Sequence, residues 1–228
     1  QAIAAQFNTA LRSRGFYDAT IKATIDGRPI ADASALEALE ARPDADQATV
    51  DIAVDTGPRY RIGSLAIRPP GTQQSLPGID RAELGIAPGD PADAAAIIAA
   101  QAKLLNELRK QGHALASIKD REVIVDHATR EAEVTFVAEP GPLARMGPVH
   151  FTGTEKVDTV WLQRRVPFKA GEPYSPAKVE ELRGKLTSLG TFNSVRLKPA
   201  TEHDANGELP IEAELTDRGL EAGINRAL

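Results

Sequence analysis

The 228 residues allow one large domain or two to three small ones, and a hydrophobic content of 42% with 4% aromatics predicts globular cores built of aliphatic side chains. A net charge of −5 leaves no basic footprint for nucleic acid, and the absence of cysteine excludes disulfides and thiolate metal sites. The longest apolar run, "ADAAAIIAA" from Ala92 to Ala100, is too short to cross a bilayer as a helix.

The chain starts with Gln1 inside a helical pattern, carries no signal-peptide pattern, and reads as a fragment of something longer. Ile3, Phe7 and Leu11 fall on one face of a helix over residues 1–14. "ATIKATID" (19–26) and "ATVDIAVD" (48–55) alternate as strands. Between them lies an insertion, 27–47, where Ser34 and Glu37 have capping-box spacing and predict a short helix, "SALEALEA". "YRIGSLAI" (60–67) is a strand bounded by Gly57-Pro58 and Pro69-Pro70, and 80–86 is a short helix ending near Pro88-Gly89. Asp90 is the expected cap of a second helix with Pro91 at its first position. That helix carries Ala94, Ile97, Ile98, Leu104, Leu105 and Leu108 on one side and stops at Gly112. Residues 115–126 form a strand, 127–131 turn it, and 132–139 return antiparallel.

The same order follows once more. Residues 147–151 are a strand, and Val157, Val160, Trp161 and Val166 sit on a first helix. Ser175-Pro176 starts a second helix, with Val179, Leu182, Leu186 and Leu189 at i, i+3, i+7 and i+10. Gly190 ends it, 192–198 is a strand, "DANG" (204–207) signals a hairpin, and 210–216 is the last strand.

These segments repeat. "TGPRYRIGSLAI" (56–67) and "PGPLARMGPVHF" (140–151) lie 84 residues apart, as do "ATVDIAVDTGP" (48–58) and "AEVTFVAEPGP" (132–142). "PIEAELTDRG" (210–219) fits the same alternation. A second block recurs three times, as "LRSRGFYDATIK" (11–22), "LRKQGHALASIK" (108–119) and "LTSLGTFNSVR" (186–196). A constant order of echoes is the signature of a repeat architecture. The first repeat is cut and the other two are complete: strand, helix, helix, strand, strand. One repeat's last strand flows through Gly57-Pro58, or Gly141-Pro142, into the next repeat's first strand, and the prolines predict restrained joints.

Catalytic chemistry is not written in the chain. His113, His127, His150 and His203 never stand at metal-ligand spacing and read as surface or rim residues. No phosphate-binding glycine loop appears, and no nucleophile has a partnered base. We expect no enzyme, no cofactor and no metal.

The tandem order, with Phe151, Gly153, Pro167-Phe168, Gly171-Glu172-Pro173-Tyr174, Leu186, Leu189-Gly190, Phe192, Val195 and Leu209-Pro210, resembles the POTRA domains of outer-membrane assembly proteins. The last repeat is most similar to the membrane-proximal POTRA of the TamA type, with the BamA type second. The resemblance implies an α+β fold of tandem modules, each a three-stranded sheet with two helices on one face. The modules are expected at 1–57 (incomplete, with the insertion), 58–141 and 142–218, with 219–228 a tail or the start of a barrel. It further implies a periplasmic location and an outer-membrane barrel after the last module. Implied partners are unfolded outer-membrane clients, autotransporters among them, and a TamB-like subunit. The alternative is a POTRA-like interaction domain of a cell-division or secretion protein. The resemblance also suggests that each module's second strand is a free edge open to strand addition. There Ile21, Ile118 and Val195 are inward candidates, Lys22, Lys119 and Arg196 outward ones, and Ile124 a test position on the longest edge. Basic residues on an edge equally serve to discourage aggregation.

Overall fold

The computed structural model describes residues 2–30, 32, 35, 37, 41, 43 and 47–218. In chain order the elements are α1 (Ala2–Ser13), β1 (Thr20–Ile25), β2 (Arg28–Pro29), β3 (Val50–Asp55), β4 (Arg61–Arg68), a 3-10 turn (Arg81–Leu84), α2 (Ala94–Lys110), β5 (Ser117–Asp126), β6 (Glu131–Glu139), β7 (Arg145–Thr152), α3 (Thr159–Gln163), α4 (Pro176–Ser188), β8 (Phe192–Pro199) and β9 (Glu208–Asp217). Ala35 and Glu37 are helical, while the Ser34 cap, the Ile3 side chain and the tail 219–228 lie outside the described residues.

The strands form three separate three-stranded sheets, ordered β2-β1-β3, β4-β6-β5 and β7-β9-β8, and none continues across Gly57 or Gly141. The second and third sheets share one plan. The first strand runs parallel to the last, and the last strand is central. The first sheet departs from it. β1 pairs antiparallel with β3 along its whole length, and Arg28–Pro29 folds back onto Thr24 and Ile25. The side of β3 that corresponds to the β4 and β7 positions holds no strand among the described residues.

Burial follows the pleat. In the third sheet Leu209, Ile211, Ala213 and Leu215 alternate inward and join Val179, Leu182 and Leu186 of α4 in one core with Met146, Val149, Leu162, Phe168 and Tyr174. Period-two and period-3.6 stripes therefore meet on one face of the sheet. The expected α4 start is met: Ser175 has extended backbone and Pro176 opens the helix, although the serine side chain makes no capping bond. In the first strands the repeated glycine marks a β-bulge, between Ile62 and Ser64 in β4 and between Met146 and Val149 in β7. A Cβ on Gly147 would stand 2.6 Å from the Leu209 carbonyl carbon, so the strands approach too closely there for any side chain.

Three expectations are corrected. α2 begins at Ala94, not at Pro91. Asp93 is its cap, its carboxylate accepting from the N–H groups of Ala95 and Ala96. Asp90 accepts instead from the Ala87 N–H, because Gly89–Pro91 is engaged along the start of β4. Ile98 is exposed on α2, whose buried stripe runs Ile97, Ala100, Leu104, Leu108. On α3 Val160 and Trp161 face solvent and Leu162 is buried. Arg165 stacks on the Trp161 ring at 3.1 Å from its centroid.

The chain divides into two compact units, one of Gln1–Arg68, Asp80–Lys103 and Asp120–Val137, the other of Pro69–Ile79, Leu104–Lys119 and Ala138–Leu228. The division passes through the second repeat, so Gly57-Pro58 lies inside the first unit and Gly141-Pro142 inside the second.

Candidate functional site

The two joints are built by the same backbone bonds. Gly57 and Gly141 have φ of +62° and +70°, a region that only glycine enters at low cost, and this turns the chain out of β3 or β6. Three residues on, the Tyr60 N–H donates to the Gly15 carbonyl at 2.8 Å, and the Ala144 N–H to the Gly112 carbonyl at 2.9 Å. Gly15 and Gly112 close α1 and α2, so each new strand is tied to the helix end of the repeat before it. Arg61 then donates to the Gly89 carbonyl at 2.7 Å, and Arg145 to the Gly171 carbonyl at 2.8 Å. Ile62 donates to Asp90 O, and Met146 to Glu172 O, each at 2.7 Å. The echoed sequence is thus an echoed set of hydrogen bonds, and Pro58 and Pro142 stand where no N–H is required.

The side chains at the joints differ. At the first joint Arg59 donates to the Arg14 carbonyl at 2.8 Å, pairs with Asp93 at 3.2 Å and lies over the Phe16 ring. Beside it the buried Tyr60 hydroxyl donates to Asp18 Oδ2 at 2.8 Å. His127 Nδ1 lies 2.9 Å from both Tyr60 Oη and Asp18 Oδ1, and Tyr17 packs edge-on against the Tyr60 ring. The Tyr60 hydroxyl first, and His127 second, hold the Asp18 carboxyl below its usual range. Burial, reinforced by Asp18, pushes the Tyr60 phenol up. At the second joint Ala144 is buried in the apolar core of the third repeat together with Ala114, and Leu115 packs against that core. His113 Nδ1 meets the Gly141 carbonyl at 2.9 Å. Sequence reasoning placed His127 and His113 on the rim and missed that each sits at a joint. The partners lie 109 and 28 residues away, and no local motif marks them.

β5 and β8 are edges of their sheets, as expected, whereas β1 is not. The Arg28–Pro29 segment covers the end of β1, a pairing that depends on the turn at Asp26 and Gly27. Ile21 and Lys22 pair with Val54 and Ala53 on β3 and lie before the stretch that Arg28–Pro29 reaches. Ile118 and Val195 are half-buried, and Lys22, Lys119 and Arg196 exposed. Lys119 is paired with Glu139 at 2.6 Å, and Arg196 stands opposite Glu214 on β9. Ile124 is 61% exposed, with Val123 beside it also at the surface. Among the described residues no group of three or more His, Cys, Asp or Glu could hold a metal, and no helix is long and apolar enough to cross a membrane.

Residues 144–216 match the family model for POTRA, described as surface antigen variable number repeat. The outer membrane protein assembly factor BamA of Neorickettsia risticii is 22% identical over 185 residues, 81% of this chain and 24% of that protein. The chain therefore spans about a quarter of the length of this curated relative. In structure it is similar to POTRA3-5 of Haemophilus influenzae BamA, with a TM-score of 0.58, 19% identity, and coverage of 94% of this chain and 81% of that one. It is also similar to BamA of Haemophilus ducreyi lacking POTRA domains 1-3, with a TM-score of 0.55, 16% identity, and coverage of 70% and 30%. The fold is that of POTRA domains, and the stretch from Ala144 to Thr216 carries the POTRA sequence pattern as well.

Proposed function

We propose that the chain is the periplasmic POTRA region of an outer-membrane assembly protein of the Omp85 type, a non-enzymatic scaffold for unfolded barrel clients. The observation that carries the reading is β5: a ten-residue strand at the edge of its sheet, with Val123 and Ile124 exposed in its second half. An extended client pairs with the free backbone groups of such an edge, and backbone pairing suits clients that share strand pattern but no sequence. β8 is the poorer acceptor, since it is shorter, irregular at Phe192 and closed by Pro199. Ile21, Lys22, Ile118, Lys119, Val195 and Arg196 then flank the receiving edges. The charged ones also guard those edges against self-association. Within the class, the third repeat's motifs support a TamA-type protein with a TamB-like partner, while the relatives named above are BamA proteins. Capture of one partner set and not the other by the full-length protein separates the two types.

Ile124→Pro tests the mechanism. Proline removes a ladder donor and is tolerated at an edge. The variant is expected to stay folded and to crosslink an unfolded barrel client several-fold less than the parent. A folded variant that crosslinks equally well rejects strand addition at β5.

A further inference from the structure

We propose that the first joint is a carboxylate-gated latch. Asp18 holds Tyr60 and His127 together, and protonation of Asp18 loosens the Phe16–Asp18 segment against the second repeat, while the second joint is unaffected.

The hydrogen count fixes the closed state. Tyr60 has one hydroxyl proton, and it points at Asp18 Oδ2. His127 Nδ1, at 2.9 Å from Asp18 Oδ1 and from Tyr60 Oη, must then supply the second proton. The neutral ring is therefore the Nδ1–H tautomer, and an imidazolium makes the same bond with charge assistance. Both protons converge on one carboxylate. A protonated Asp18 loses the charge that both donors share and brings a third donor, its own hydroxyl, into the cluster, so the bonds to Tyr60 and His127 lose their charge assistance. Arg130 and Asp126 also act on this cluster from the hairpin that carries His127, with opposite signs on the Tyr60 phenol. Tyr17 covers the Tyr60 ring, and Arg14 and Arg59 meet Asp93 beside it. Asp18 is the group on which the latch bonds meet. Its carboxyl is held low, so the latch is complete at neutral pH and opens only as pH falls through that lowered value. At the second joint the corresponding packing is apolar, by Ala114, Leu115 and Ala144, and the low-lying carboxyl there, Glu172, is held by Lys178 of its own repeat and not by a side chain of the repeat before it.

The experiment measures distances. The chain has no cysteine, so spin labels go cleanly on Ala53→Cys with Glu133→Cys across the first joint, and on Asn106→Cys with Glu212→Cys across the second. In the parent the first pair should give a narrow distribution at neutral pH that broadens in acid, while the second pair stays narrow. Asp18→Asn should broaden the first pair several-fold already at neutral pH and abolish its response to acid. Tyr60→Phe should do so in part. A narrow first-joint distribution in Asp18→Asn at neutral pH overturns the latch, as does equal acid broadening at both joints. Nitrogen NMR of His127 in the parent at neutral pH gives a test that needs no variant: a proton on Nε2 and none on Nδ1 overturns it as well. Client crosslinking is not the readout, so failure here leaves strand addition standing.

Discussion

Leu182 and Gly153 show two kinds of residue on which the third repeat depends. Leu182 is fully buried between α4 and the sheet, and Leu182→Ala should cost about 2–5 kcal/mol in denaturant unfolding, the range for emptying a packed leucine site. Gly153 has φ of +76°, and a Cβ there would overlap the Leu215 carbonyl. Gly153→Ala should therefore cost more than the about 1–2 kcal/mol of left-handed backbone strain alone. The loop that Gly153 opens is held by Asp217, which accepts from Thr154 Oγ1 at 2.8 Å and from the N–H groups of Glu155 and Lys156. Those bonds, with Glu155 N–H foremost, hold the Asp217 carboxyl below its usual range. A depressed pKa means stability that is whole above the unfolded value and lost as pH falls through the folded one. Acid titration of the third repeat's stability should show this loss, and Asp217→Asn should remove that component while lowering stability at neutral pH. Equal acid slopes in parent and variant would show that the loop is held otherwise. Leu182 and Gly153 stood out in the sequence, but the Asp217 bonds did not. Asp217 and Thr154 are 63 residues apart, and neither stands in a motif.

At the scale of elements, local rules worked wherever a segment answered to its own neighbours. The stripe Val179, Leu182, Leu186 placed α4, and Pro176 placed its start, because a helix is specified by its own periodicity and its first turn. Asp204 was readable as a turn for the same reason, and its carboxylate accepts from the Asn206 and Glu208 N–H groups. The same rules failed at Asp90, where an excellent local cap was outbid by pairing with β4, and the resemblance misled at β1, where two residues of the insertion cover part of a strand that it marked as an edge. Pairing across a sheet is non-local, and a single chain holds little record of it. Ile124 lies on the side of this divide where sequence and topology agree, and it is the better test position for that reason. The joints make a further prediction. Replacing Pro142 by serine should broaden the distance distribution across the second joint, with both neighbouring repeats unfolding within about 0.5 kcal/mol of the parent, because Pro142 lies outside both cores. Coupled loss of stability in either repeat would show that the proline supports a core.

Across the whole molecule, three sheets are strung together by two joints whose backbone bonds match and whose side chains do not. At neutral pH the angle at each joint should vary little, and small-angle scattering should need no broad ensemble. Scattering that demands wide angular freedom under those conditions would contradict the restraint ascribed to Gly57-Pro58 and Gly141-Pro142. The matched bonds from Tyr60 to Gly15 and from Ala144 to Gly112 carry one more consequence. The first repeat carries a socket, the third a plug, and the second both, all of the same gauge, so the two couplings are interchangeable. Excising the residues from Arg61 to Ala144 would bring the plug at Tyr60 directly in front of Arg145, with the socket at Gly15 still in place. Such arrays gain or lose members by recombination without inventing a new connector each time, and the unlike side chains around each coupling then adapt one link at a time.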